Sequence, residues 1–340
     1  MTYKSILVTK RGSSDGLKIV EQELRPPAAG EARVKILAAS VTADDIGARV
    51  GNRPFLPRIP FVPGYSFIGD VDAVGEGVSA AVGDRVAALT IYGSYAEYIY
   101  VRQGDLIPTP KSLNPAEAVP LILNYITAYQ MLHRVAKVTA GQKALIIGAS
   151  GGVGTALLQL GRLAGLKIYG IASGSKHEAI CALGAVPIDY HSQDFVEVIH
   201  QAEPDGLDVV FDGMFGDYTR RALTVLRRGG NLVGYGAPPS LGSLLAALGY
   251  VARHNLLPHS GTIKLYGTSL YRFDKRPFFE DWATLFRLLE EGQIKPIIMQ
   301  RFPLLEAAKA NDLLESGQVT GNLVLLAPEM MNGSGANGRP

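Results

Sequence analysis

A single cysteine, Cys181, stands among 340 residues. That scarcity excludes an internal disulfide framework and any zinc site built from several cysteines. It is in keeping with a reducing, cytoplasmic location. No apolar run approaches the roughly 20 residues that a membrane-spanning helix needs. The longest candidate, "LGSLLAALGYVARHNLL", is interrupted by Arg253 and His254, so no integral membrane association is expected. The start, "MTYKSILVTKRG", lacks the apolar core and small-residue cleavage site of a signal peptide, and none is expected there. Neither sign of charge dominates: 33 Lys and Arg face 31 Asp and Glu, for a net charge of +2. Nothing therefore favours nucleic acid or an acidic membrane surface as a partner. The six histidines, His133, His177, His191, His200, His254 and His259, are scattered, with no metal-like pair on one helix face.

What is present is globular composition, 47% hydrophobic and 19% charged, at a length that suggests about two domains. The first 110 residues or so read as short strands and turns. "ARVKILAAS" and "YAEYIYV" are strand-like, and "VGEGVSAAVGDRVAAL" alternates apolar runs with glycine turns. After "NPAEAVPLILNYITAYQML" the texture changes. The strands "KALIIGAS", "KIYGIAS", "DVVFDGM" and "GNLVGYG" alternate with the helices "GGVGTALLQLGRLAG", "SKHEAICALGA" and "TRRALTVLRRGG". Such alternation predicts right-handed βαβ units and a parallel sheet buried on both faces. The expected class is α/β: a β-rich domain over residues 1–115, a doubly wound domain over 116–270, and a return to the first domain over 271–328. That topology would leave a cleft between domains. Residues 329–340, glycine- and asparagine-rich, read as a disordered tail or an appended remnant.

One stretch carries chemistry. In "ALIIGASGGVGTALLQLGRLAG" a buried strand runs into a glycine turn and then a helix. Ser150, Gly151, Gly152, Val153 and Gly154 would form the turn. Gly151 and Gly152 supply bare backbone, Gly154 supplies close approach, and the helix aims its free N–H groups at an anion. Ala149 stands where the first glycine of G-x-G-x-x-G is usual; its methyl fits if its φ stays negative. The next strand bears on the cofactor. NAD sites usually place Asp or Glu near its end, to bond the ribose 2′-hydroxyl. Here "KIYGIASGSKHEA" has no carboxylate before Glu178, and Ser173, Ser175 and Lys176 would welcome a 2′-phosphate instead. Lys176 also fits an ordinary solvated charge, although a helix N-terminus disfavours it. Tyr190 in "PIDYHSQD" could add a phenol, and His191 beside it could approach the same phosphate. The expected cofactor is NADPH.

"GASGGVGTALLQL", "NYITAY", "PFVPGYSFIGDVDAVGEGV" and "VGDRVAAL" together resemble the zinc-free quinone oxidoreductases of the medium-chain dehydrogenase/reductase superfamily. "NYITAY", "ASGSKHEA" and "IDYHSQD" resemble the branch containing the synaptic vesicle amine transport protein homologue. The likeness runs over about residues 4–326. It implies a GroES-like catalytic domain, a Rossmann domain, NADPH, and often a homodimer through the sheet edge, here "IKLYGTSLYR". By family position it assigns Thr42, Asn124, Thr127, Ser150 to Gly154, Ser173, Lys176, Tyr190, Tyr235 and Asn322 to the cofactor.

Zinc members of that superfamily use Cys, Gly-His-Glu and a later Cys. Here Thr42 stands near the first position, Tyr65 and Ser66 replace His-Glu, and the four-cysteine structural loop is missing. Without a metal, the acceptor must already be electrophilic, as quinones and α,β-unsaturated carbonyls are. Hydride transfer would be followed by protonation from water or a tyrosine. Tyr65 is the first candidate and Tyr92 the second; packing is the alternative for both. Asp45, in "VTADDIG", fixes a loop or moves a proton. "APPSLGSLLAALGYVARHNLLPHSG" would cap the acceptor site, or serve as a surface helix or dimer contact. Two further readings stay open: a cofactor-binding protein with little turnover, and a tailoring enoyl reductase for one metabolite.

Overall fold

The structure is a computed structural model describing residues 1–236, 238, 240–256 and 261–332. The chain forms two compact units, residues 1–123 with 282–340, and residues 124–281. The divisions fall at 123/124 and 281/282, against the expected 115/116 and 270/271. His259, and residues 333–340 of the expected tail, lie outside the described residues.

The first unit opens with an antiparallel hairpin, β1 (Thr2–Val8) and β2 (Leu17–Glu23). β3 (Glu31–Val41) leads through Thr42 into α1 (Ala43–Val50). β4 (Ser66–Val74), β5 (Arg85–Leu89), β6 (Tyr98–Arg102), β7 (Ile107–Pro108) and α2 (Pro115–Pro120) follow. Asn114 caps α2 by accepting from the Ala116 N–H at 2.9 Å. Pro115 fills the first helical position, where a missing N–H costs nothing. Beyond Pro120 the helical run widens into a π turn over residues 121–125.

The second unit continues with α3 (Ile126–Gln130), β8 (Lys143–Ile147), α4 (Gly152–Leu163), β9 (Lys167–Ala172), α5 (His177–Ala182) and β10 (Val186–Asp189). It goes on with α6 (Phe195–Ala202), β11 (Leu207–Asp212), α7 (Asp217–Ala222), β12 (Leu226–Tyr235), α8 (Leu241–Leu256) and β13 (Gly261–Tyr266). α9 (Arg276–Glu290) returns the chain to the first unit. There β14 (Ile298–Pro303), α10 (Ala307–Glu315), β15 (Asn322–Leu326) and α11 (Pro328–Asn332) complete it.

The first unit's larger sheet runs β14-β15-β3-β4-β5-β7, with β6 paired to β3. Its strands alternate: Val34, Ile36, Phe67, Val86, Leu323 and Leu325 point into one buried core. The second unit is a doubly wound Rossmann sheet, all parallel, in the order β10-β9-β8-β11-β12-β13. The chain leaves β8 for β9 on one side and later fills β11 on the other. The topological switch point therefore lies between β8 and β11, where ligands of such sheets bind.

Two expected boundaries shift. The helix expected over "TRRALTVLRRGG" stops at Ala222, because Leu226 already pairs with Leu207 as the start of β12. "IKLYGTSLYR" is strand only as far as Tyr266; Thr268–Arg272 is a 3-10 turn. β13 is the end strand of the sheet. Its Ile263 turns N–H and C=O away from β12, and Asn255 of α8 answers both. The Asn255 Oδ1 accepts from the Ile263 N–H at 2.9 Å, and its Nδ2 donates to the Ile263 carbonyl at 2.8 Å. One side chain thus closes the strand edge at that point.

Candidate cofactor cradle and active site

The glycine turn follows β8 directly. Gly148 takes the left-handed conformation, φ +79°, so Ala149 does not have to. The Ala149 N–H donates to the Ile171 carbonyl at 3.0 Å. Its methyl occupies the space over Gly170, where an added Cβ would stand 2.9 Å from it. The departure from the usual first glycine is thus matched by a glycine on the neighbouring strand. A Cβ on Gly154 would fall on the Gly148 carbonyl oxygen and 2.6 Å from the Ala149 carbonyl carbon. The first turn of α4 therefore sits hard against the loop. The Thr155 N–H, bonded to the Gly151 carbonyl at 2.8 Å, closes the first intrahelical bond. The N–H groups of Gly152, Val153 and Gly154, in the first turn of α4, have no intrahelical acceptor, which suits an anion. These residues fit a pyrophosphate.

The rim lies at the ends of β9 and β10. The Ser173 and Ser175 hydroxyls lie 3.3 Å apart. Burial pulls the Lys176 ammonium below the usual lysine range, a direction that a bound anion would reverse. Tyr190 is half-exposed and lies against His191, the rings tilted by 42° with centres 4.2 Å apart. One group here escaped the sequence reading. "No carboxylate before Glu178" holds along the chain but not in space. Asp189, register partner of Ala172, places its Oδ2 3.1 Å from where a Gly174 Cβ would stand. Only the pairing of β9 with β10 reveals it.

At the switch point, Asp212 ends β11 fully buried. It accepts from the Met214 N–H at 2.9 Å, the Phe215 N–H at 3.0 Å and the Thr219 hydroxyl at 2.6 Å. These bonds hold Phe215 at φ +60° and Gly216 at φ +65°, a strained turn of the kind found at ligand sites. Tyr235 ends β12 against Gly213, where a Cβ would come 2.8 Å from its Cζ. Burial raises its phenol well above the usual tyrosine range. Sequence reasoning named Tyr235 and missed Asp212 and Phe215. Asn124 lies in the π turn and Thr127 in α3, both buried. The π geometry, common at functional sites, was not legible in "NYITAY".

In the first unit, Thr42 and Asp45 form a reciprocal cap on α1. The Asp45 Oδ2 accepts from the Thr42 N–H at 2.9 Å and from its hydroxyl at 2.7 Å. The other oxygen accepts from the Gly64 N–H at 3.1 Å. Asp45 thereby ties the α1 turn to the loop carrying Tyr65. Gly64 has φ +108°, and a Cβ there would meet Ser94 Oγ and, at 2.7 Å, the Tyr95 ring. Burial pushes the Asp45 carboxyl up to about 7, offset in part by its bonds from Thr42. Tyr65 is raised by burial and by the nearby Asp44, Tyr92 and Asp45. Ile91, a β-branched residue at φ +70°, bonds the Tyr65 carbonyl through its N–H at 3.2 Å. Tyr92 meets Phe61 edge-on, centres 5.4 Å apart. Asn322 opens β15 and donates from its Nδ2 to the Ile297 carbonyl at 2.9 Å.

Behind Asp45 runs a buried polar chain. The Tyr95 hydroxyl faces Asp45 and Asn311, without a hydrogen bond of normal geometry to either. Asn311 Oδ1 accepts from Arg49 Nε at 3.1 Å. Arg49, fully buried, also bonds the Gly12 carbonyl and Glu315.

Two family models match the chain: an alcohol dehydrogenase GroES-like domain over residues 28–111 and a zinc-binding dehydrogenase over 183–325. The zebrafish (Danio rerio) synaptic vesicle membrane protein VAT-1 homolog is 31% identical over 343 residues, 97% of this chain and 71% of the relative. The chain belongs to the medium-chain dehydrogenase/reductase family. Among its members, the quinone oxidoreductase of Rattus norvegicus is 29% identical over 95% of this chain and 97% of its own. The solved quinone oxidoreductase of Pseudomonas syringae pv. Tomato DC3000 superposes with a TM-score of 0.85 at 28% identity, covering 95% and 99% of the two chains. Membership makes the protein an oxidoreductase whose first unit is GroES-like and whose cofactor is a nicotinamide dinucleotide. The matched model is named for zinc, but Thr42, Tyr65 and Ser66 are not a zinc donor set. Among the described residues no three His, Cys, Asp or Glu side chains gather as metal ligands. Nor, among those residues, is any helix long and apolar enough to cross a membrane.

Proposed function

We propose that the protein is a zinc-independent NADPH:quinone or enone oxidoreductase. The observation that carries this reading is the pairing of a glycine cradle at the α4 N-terminus with a rim of Ser173, Ser175 and Lys176. When bound, NADPH supplies the hydride. Backbone N–H groups of Gly152 and Val153, with Ser150, hold the pyrophosphate; Lys176, Ser173, Ser175 and Tyr190 hold the 2′-phosphate. Thr42, Asn124, Thr127, Tyr235 and Asn322 are assigned to the remaining dinucleotide.

A conjugated carbonyl accepts hydride at carbon and holds the resulting charge on oxygen as an enolate or hydroquinone anion. It needs no Lewis acid. Tyr65, held protonated by burial and neighbouring carboxyls, suits donation of a hydrogen bond to that oxygen. So weak an acid is a poor proton source, which leaves water to complete protonation. Tyr92 packs beside Phe61 and shapes the acceptor's surroundings. Asp45 holds the Tyr65 loop in place. A cytoplasmic location and a homodimer complete the reading; pairing through the β13 edge would require Asn255 to release Ile263.

The test is loss of 340 nm absorbance with NADPH and a panel including 9,10-phenanthrenequinone and 1,4-benzoquinone. Turnover is expected. Tight NADPH binding with no acceptor reduced would instead favour a binding protein. Lys176→Ala should weaken NADPH binding about tenfold, the worth of one charge-assisted contact, while leaving NADH nearly unchanged. Equal losses would remove the phosphate role.

A further inference from the structure

The carboxylate at the end of β10 has no part in the scheme above. Asp189 is half-exposed, and its two oxygens are engaged within its own turn. Oδ1 accepts from the His191 N–H at 3.1 Å, and Oδ2 from the Ser192 hydroxyl at 3.0 Å. Its N–H donates to Gln193 Oε1 at 2.9 Å, and its carbonyl accepts from the Ser192 and Gln193 N–H groups at 3.2 and 2.9 Å. This is a closed Asx-type turn, and it fixes the next residue, Tyr190. The same carboxylate leans on the Ser173–Lys176 turn. Oδ2 would stand 3.1 Å, and Cγ 3.7 Å, from a Cβ on Gly174. A side chain at Gly174 would press on the carboxylate.

The geometry points to Asp189 as a specificity-determining residue. By its negative charge beside the Ser173–Lys176 turn it holds back the preference for a 2′-phosphorylated dinucleotide, so that the unphosphorylated form is admitted as well. The inference rests on the rim assigned above. The Asp189 carboxylate sits against Gly174, between Ser173 and Ser175 in sequence, so an anion gripped by that turn would meet a fixed negative charge, which opposes a phosphate dianion far more than a neutral ribose hydroxyl. The bonds from His191 and Ser192 stabilise that charge and pull the carboxyl below the usual aspartate range, so it persists at neutral pH. Lys176 supplies the attraction and Asp189 the restraint. The ratio of the two affinities is the property they set together.

The test uses the full chain and calorimetric binding of two adenosine probes, 2′,5′-ADP and 5′-AMP, with NADPH and NADH alongside. Asp189→Asn keeps an oxygen to accept from the His191 N–H and stays a good turn residue, but loses the charge. It should bind 2′,5′-ADP and NADPH about three- to tenfold more tightly, with 5′-AMP and NADH changed less than twofold. Asp189→Ser, whose hydroxyl can also cap the turn, should shift the ratio in the same direction. Ser192→Ala, which keeps the charge, should not. An unchanged ratio in both Asp189 variants, or a ratio shifted toward 5′-AMP, would overturn the inference. Wild-type protein that binds 5′-AMP but not 2′,5′-ADP would instead overturn the rim assignment.

Discussion

Asp45 in the first unit and Glu203 in the second are both nearly closed off from water, 1% and 3% exposed, yet the fold treats them in opposite ways. Burial pushes both carboxyls up. At Asp45 the groups that answer are the Thr42 N–H and hydroxyl, while Asp44 adds a like charge, and the carboxyl settles at about 7. At Glu203, Lys143 and Lys167 stand 2.5 and 2.7 Å away and the Tyr169 hydroxyl donates at 2.6 Å. These outweigh burial and bring the carboxyl to about 2. Partner identity, rather than depth, decides the charge state. Glu203 ties together the starts of β8 and β9, away from the cradle, where a fixed ion cluster serves stability. Asp45 ties two loops at the candidate active site, where the fold keeps a poorly compensated carboxyl.

The comparison can be broken first at Arg49. Among the described residues it is the buried cation of the first unit, but it is spent on Glu315, Asn311 and Gly12 rather than on Asp45. Arg49→Ala should cost about 3–5 kcal/mol, because it strands buried partners and leaves a cavity. A thermal melt that falls by less than 2 °C would show the chain to be slack.

Glu203→Gln comes next. Half-exposed lysines screen the pair, so a loss of about 1 kcal/mol at pH 7 is expected. The pH dependence is sharper. A carboxyl lowered from 4.5 to about 2 contributes stability that is complete above 4.5 and lost as pH falls toward 2. Melts of the wild type should therefore drop between pH 4.5 and 2, and those of Glu203→Gln should drop less.

Asp45→Asn should have the smallest effect on stability and the opposite sign of pH dependence. A carboxyl raised from 3.8 to about 7 contributes stability that is complete below 3.8 and lost as pH rises to 7. The variant should flatten that slope and melt within about 2 °C of the wild type at pH 8. Its quinone turnover should still fall, since the Gly64–Tyr65 loop loses part of its tie. Unchanged turnover would reduce the Thr42–Asp45–Gly64 bonds to a helix cap.

What was legible in the sequence was local. Strand, glycine turn and helix at 143–163 follow from apolar runs and glycine spacing, and each acts within a few residues. Even Ala149 could be judged in advance, because the question was one φ angle. What needed the fold was pairing. Asp189 reaches Gly174 only through the register of β9 with β10. Arg49 and Asn311 meet although 262 residues separate them. The strained Phe215 turn depends on Asp212 accepting three bonds at once. The start of β12 inside an expected helix has the same origin, since Leu207 claims Leu226 before helix propensity can.

Asn255 leaves one last consequence. A bare terminal strand is a template on which further chains can stack into fibres. At Ile263 the template is blanked by one carboxamide whose two ends match the peptide group opposite. Hydrolysis of that amide to an acid would set a second acceptor against the Ile263 carbonyl and spoil the match. At that point of the edge, resistance to strand addition depends on the Asn255 carboxamide keeping its nitrogen.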